Sequence, residues 1–160
     1  MNFVDAIFGA CCLAMNRMAM LFGSDYETVN VVLFDFIEPI LTVLVLIGVV
    51  LGRFGSTRDI SQWIGWGSVI VVAVVLIVLA VSFISMIPMV SFHPLHVDPA
   101  LLDIHGAPEG SFIHRAFQWT VDILIGGGKG FGMTYNLINL VVYIFMMPIT
   151  ILVGQIIVLR

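Results

Sequence analysis

Charge is scarce in this chain. Only 10% of its 160 residues are Asp, Glu, Lys or Arg, where a soluble domain carries about 25%. Six basic residues face ten acidic ones, for a net charge of −4, and that balance excludes a nucleic-acid-binding surface. Cysteine is nearly absent. Cys11 and Cys12 are adjacent, a spacing too strained for an ordinary disulfide. No disulfide framework is expected, and the two read as small apolar side chains rather than lipidation sites. Catalytic signatures are missing as well. There is no HExxH and no nucleophile–base pairing. The stretch "GGGKGFG", Gly126 to Gly132, lacks the G-x-x-x-x-G-K-[ST] pattern and a preceding strand. It reads as a flexible joint, with Lys129 near lipid phosphate. No enzyme activity, cofactor or metal centre is expected.

What the chain has is apolar length: 61% of it is hydrophobic, with a mean hydropathy of +1.15. A water-soluble core of this size cannot hide so much apolar surface, so the lipid bilayer is its natural solvent. Residues 25–52, 63–87 and 134–159 each supply the ~20 residues a spanning helix needs, and helix is forced because lipid offers unpaired backbone groups no partner. The opening "MNFVDAIFGACCLAMNR" has an early acid and no basic stretch, so it is not read as a signal peptide. Residues 1–21 place Val4, Phe8, Cys11, Met15 and Met18 on one side and Asn2, Asp5, Gly9 and Asn16 on another. Residues 111–125 place Ile113, Phe117, Thr120 and Leu124 opposite His114, Arg115, Gln118 and Asp122. Both read as amphipathic helices lying in the membrane interface, the first with the alternative of inserting as a short hairpin arm. The expected fold is therefore an all-α integral membrane protein, one membrane domain of three transmembrane helices plus two interfacial amphipathic helices.

Local signals refine this reading. Ser24 and Glu27 form an S-x-x-E capping box ahead of the first span, and Trp63 and Trp66 suit the membrane–water interface. Gly48-x-x-x-Gly52 offers close helix approach. The polar loop, residues 88–110, holds His93, His96, Asp98, Asp103 and His105, and reads as a solvated loop rather than a metal site. Arg53, Arg58 and Arg160 fall on one side of the membrane, and Arg17, Arg115 and Lys129 on the other. Arg53 and Arg160 sit directly at helix ends, where the positive-inside bias acts most strongly. The expected protein is multi-pass, with its N-terminus outside and its C-terminus inside, in the inner membrane if the source is bacterial.

The sequence also repeats. "FGSDYETVNVVLFDFIEP" from Phe22 and "FGMTYNLINLVVYIFMMP" from Phe131 align without gaps, and residues 22–40 and 131–149 read as a parallel internal repeat. Gly23 and Gly132 let the chain turn into the bilayer. Tyr26 and Tyr135 are expected at headgroup level, ring in and hydroxyl out. Asn30 and Asn139, one turn deeper, are expected to hydrogen-bond across a helix contact, worth about 1 kcal/mol. Pro39 and Pro148 each remove an N–H and predict a kink at one depth in both helices.

Two acids break the likeness. Asp35 and Glu38 stand where the second copy has Ile144 and Met147. Asp35 lies about 15 Å along the helix, where a charge costs at least ~2.5 kcal/mol. No Lys or Arg lies within any of the three spans. Three accounts follow: a basic residue or backbone N–H on a partner chain, a wet path for protons or cations, or hydrogen bonds within the bundle to Asn139, Ser68 or Ser82. The first makes the chain a small non-enzymatic subunit or scaffold of a larger membrane complex, docking other membrane subunits through the first span and its acid pair. The second makes it an oligomeric proton or cation conductor.

Overall fold

The computed structural model describes residues 3–54, 57–92 and 95–160. Asn2 and His93, named above, lie outside the described residues. The chain is helical almost throughout. Helix α1 is Phe3–Phe22. It stops at Gly23, whose φ of 61° favours glycine. Ser24 N–H reaches Ala19 O at 2.9 Å and Gly23 N–H reaches Met20 O at 3.3 Å, the two bonds of a Schellman turn. Helix α2 then runs Tyr26–Leu51. Its cap is Asp25, which accepts from Thr28 N–H at 2.7 Å, not the expected Ser24. Glu27 does not close a capping box, because it is engaged elsewhere.

Helix α3 is Arg58–Met86, starting before the expected Trp63. Its C-terminal end leads through a tight turn into a small antiparallel hairpin, β1 (Val90–Phe92) and β2 (Leu95–Val97). A one-turn helix α4, Pro99–Leu102, follows. Helix α5 is Phe112–Gly130, capped by Ser111. It carries straight through Gly126–Gly130, so those glycines are helical rather than a joint. The turn comes at Gly132, with φ 67° and the same two bonds: Met133 N–H to Gly128 O at 2.8 Å and Gly132 N–H to Lys129 O at 3.3 Å. Helix α6 is Tyr135–Leu159, capped by Thr134.

Helices α2 and α6 share an unusual interior. Each begins with one α-helical turn, widens into a seven-residue π-helix (Val31–Ile37 and Leu140–Met146), and returns to α-helix just before its proline. Glu38 N–H bonds Leu33 O, and Met147 N–H bonds Val142 O. A proline ring clashes with the carbonyl four residues back, and the wider i→i−5 turn moves that carbonyl away. The expected disturbance at Pro39 and Pro148 thus takes the form of a π-helical stretch upstream of each.

Four helices, α1, α2, α3 and α6, are long and apolar enough to cross a membrane. Packing between them buries Leu41, Val45, Ile151 and Val158 together with several polar side chains. Large apolar side chains such as Ile70, Val74, Ile77 and Ile84 face outward, while Ser61, Ser68, Ser82 and Gln155 are buried. Without water to drive association, close backbone approach and interhelical hydrogen bonds hold such helices together. Ser61 donates to Gly48 O at 2.8 Å and Gln155 to Ser68 Oγ at 3.1 Å. A Cβ at Gly52 would lie 3.0 Å from Ser61 Oγ, so Gly48 and Gly52 both face α3; one at Gly154 would collide with Val45.

Candidate functional site

The Gly-turn, cap and π-helix equivalences extend upstream of the sequence repeat. At the spacing that separates Phe22 from Phe131, Phe3 matches Phe112 and Phe8 matches Phe117. At that spacing helix α1 aligns with α5, so residues 3–51 and 112–160 can be compared position by position as two units. They pack by exchange. Phe117 of the second unit meets Tyr26 of the first edge-on at 6.1 Å, and Phe8 of the first meets Tyr135 of the second at 5.7 Å, both at 79°. His114 Nδ1 lies 3.0 Å from Glu27 Oε2, and at the matching positions Asn136 Nδ2 donates to Asp5 Oδ1 at 2.9 Å. Where matching residues meet each other, Phe34 stacks on Tyr143 at 4.7 Å and Val45 presses on Gly154.

The Glu27 carboxylate organises the outer end. Besides His114 it accepts from Ala107 N–H at 3.2 Å, and a Cβ at Gly106 would come within 3.0 Å of Oε1. Asn16 donates to Leu101 O at 2.8 Å, and Tyr26 N–H to His105 O at 2.9 Å. These three contacts tie the loop after β2 onto the C-terminal half of α1 and the start of α2. Tyr26 points its hydroxyl inward to Cys12 Sγ at 3.4 Å, not out to headgroups, because α1 and α5 cover it. Asn30 bonds back to Tyr26 O at 2.8 Å and Asn139 to the Tyr135 hydroxyl at 3.4 Å. The tyrosines make the helix–helix contacts, and the asparagines bond within their own helices.

Asp35 sits half-buried in the π-helix of α2 and accepts from the Thr120 hydroxyl of α5 at 2.9 Å. Ser68, Ser82 and Asn139 do not supply that bond; the serines bond carbonyls of their own helix. Asp35, Thr120, Tyr26, Asn30 and Asn139 line a small central cavity of about 50 Å³. Glu38 lies one turn deeper, its Oε2 buried without a hydrogen-bond partner, on the wall of an apolar cavity of about 330 Å³. Neither acid forms an ion pair among the described residues. Nor do three His, Cys, Asp or Glu side chains gather there as a metal site would require; Asp103 and His105 pair with each other at 3.2 Å on the exposed loop.

The two units leave two matching grooves. One lies beside α1, lined by Cys11, Leu33, Phe34, Glu38, Ile144 and Pro148, and α3 roofs it with Val72, Val75, Leu76, Leu79 and Phe83. The other lies beside α5, with Asp35, Pro39, Arg115, Trp119, Thr120 and Met147 among its lining residues, and has a volume of about 720 Å³. No α3 residue reaches it. Asp35 replaces Ile144 there, and Thr120 replaces Cys11. Sequence reasoning left Thr120 and Arg115 unconnected to the acids. The matched phenylalanines Phe3/Phe112 and Phe8/Phe117 were the available signal, since extending the repeat upstream brings α5 against α2.

No protein-family model, curated protein or solved structure matches the chain.

Proposed function

We propose that this chain is a small non-enzymatic integral membrane subunit that docks other membrane subunits through α2 and its acids Asp35 and Glu38. The observation that carries this reading is the open groove beside α5, where the Asp35 carboxylate is met by two hydroxyls of its own chain, Thr120 and Tyr143, and by no cation among the described residues. Such intramembrane acids face a bundle interior, a wet cavity or a partner. In this reading α2, α3 and α6 span the bilayer, and α1 and α5 lie in the interface although α1 is long enough to cross. Its support is that both ends of each short helix touch the starts of spanning helices: Asp5 meets Asn136 while Phe22 leads to Tyr26, and His114 meets Glu27 while Gly128 abuts Met133. The two units are then a duplicated parallel repeat about the membrane normal. Arg53, Arg58 and Arg160 mark the cytoplasmic end, where Arg58 reaches the Arg160 carbonyl at 3.4 Å.

A second reading, an oligomeric proton or cation conductor, rests on the Glu38 oxygen buried without a hydrogen-bond partner and on Asp35 at the small central cavity one turn away. One pair of proteins separates the two readings: the native chain and its Asp35→Asn/Glu38→Gln variant, each extracted gently from its own membrane. The subunit reading expects a heteromeric native mass that the variant loses. A lone or homomeric mass removes it. Conduction then requires proton or cation flux in liposomes that the variant abolishes, and a folded sample without flux excludes that reading too.

A further inference from the structure

The two matching grooves differ most in what covers them. Beside α1, a membrane-length helix of the same chain, α3, lies across the groove and meets it with an unbroken apolar face. Beside α5, the equivalent groove is open, wider, and lined by exposed apolar residues, Phe112, Trp119 and Ile123 on α5 and Phe36 on α2. Most substitutions between the grooves place the polar or bulkier group on the open side; Glu38, in the covered groove where the open one has Met147, is the exception. Where α3 covers Ile144 and Cys11, the open groove presents Asp35 and Thr120, and Arg115 and Trp119 stand where the covered side has Ala6 and Ala10.

We infer that the open groove seats one membrane-spanning helix of a different protein, antiparallel to α2, with a basic or N–H donor side chain at the level of Asp35. This rests on the subunit reading and adds the surface and the occupant. A helix is the fitting shape because a helix already fills the equivalent groove. The direction follows from α3, which runs opposite to α2 and α6. A second copy of this chain does not satisfy the groove, because α3 carries no charged side chain beyond Asp59 and no Lys or Arg falls within α2 or α6. Acyl chains fill volume but offer Asp35 no donor. Arg115, at the rim, is placed to meet the carbonyl end of such a helix. At the C-terminal end of α3, Arg17 Nε donates to Ser85 Oγ at 3.0 Å in the last turn.

Photo-cross-linking in the protein's own membrane tests this. Benzoylphenylalanine replaces Trp119 in the open groove or Ile70 on the outer face of α3, both exposed positions that tolerate the probe. The expected result is a heteromeric cross-link from Trp119 that is at least about tenfold stronger than from Ile70. Asp35→Asn should reduce it about tenfold, the scale of one lost charged hydrogen bond, while Thr42→Val on the same helix leaves it unchanged. A partner that co-purifies but cross-links only through Ile70 overturns the groove assignment and leaves the subunit reading standing. Cross-links to lipid alone, or to a second copy of the chain, overturn the assigned occupant. A chain that neither co-purifies nor cross-links with another protein overturns both.

Discussion

The Glu27–His114 pair and the Asn136–Asp5 pair occupy matching places in the two units, and the first also holds the loop at Ala107. Glu27 takes Ala107 N–H as well as His114, and so ties the segment after β2 to the outer end of α2. Asn136 and Asp5 join α6 to α1. The contrast recurs deeper down. Phe34–Tyr143 and Val45–Gly154 join the units at matching positions, but the grooves on either side have different chemistry and only one is covered. The units share the backbone devices of Gly turn, cap and π-helix. They differ in the polar side chains placed on those devices. A common frame can thus build two sites of one shape, and the departures from likeness mark where the chain does something other than fold.

The comparison can be broken most severely where matching residues touch. Gly154→Leu drives a branched side chain into Val45, and overpacking of this kind costs about 1–3 kcal/mol; a large loss of folded protein is expected in detergent unfolding curves. If the contact is as reciprocal as the two-unit frame implies, Val45→Gly combined with Gly154→Val recovers most of that stability. Failure of the exchange to do better than Gly154→Val alone would show the contact is one-sided.

Next in size is the outer end. Removing Glu27 with Glu27→Ala leaves His114 and Ala107 N–H without their partner, at a cost of about 1–3 kcal/mol, and amide exchange should accelerate at Ala107 and its neighbours. Asn136→Ala should cost about 1 kcal/mol and leave exchange in that loop unaltered. Equal acceleration in both variants would erase the distinction between the pairs.

The smallest effects belong to the asparagines. Each bonds one turn back along its own helix, so Asn30→Ala and Asn139→Ala should each cost about 0.6 kcal/mol or less, with Asn30 the larger because its bond is shorter (2.8 against 3.4 Å). A loss above about 2 kcal/mol from Asn139→Ala would mean that it bridges helices after all.

Much of this protein follows from local composition and spacing. Sparse charge and apolar runs of sufficient length require a helical membrane protein, since lipid cannot satisfy open backbone. Gly23 and Gly132 announce their turns because a left-handed backbone favours a residue without a Cβ. The prolines announce a disturbed helix because they lack an N–H, although whether the helix kinks or widens to π depends on what packs against it. Even Ser24-x-x-Glu27, a sound local signature, was overruled: Asp25 caps the helix and Glu27 turns to His114, a partner 87 residues away. Asp35 was visible as an anomaly, but its donor Thr120 was not, because the contact exists only once α5 lies across α2. Single residues and their near neighbours determine which segments enter the bilayer and where they turn. The pairing of distant helices decides which acid is satisfied, which groove is covered and which stays open, because those depend on surfaces that meet only when the chain has packed.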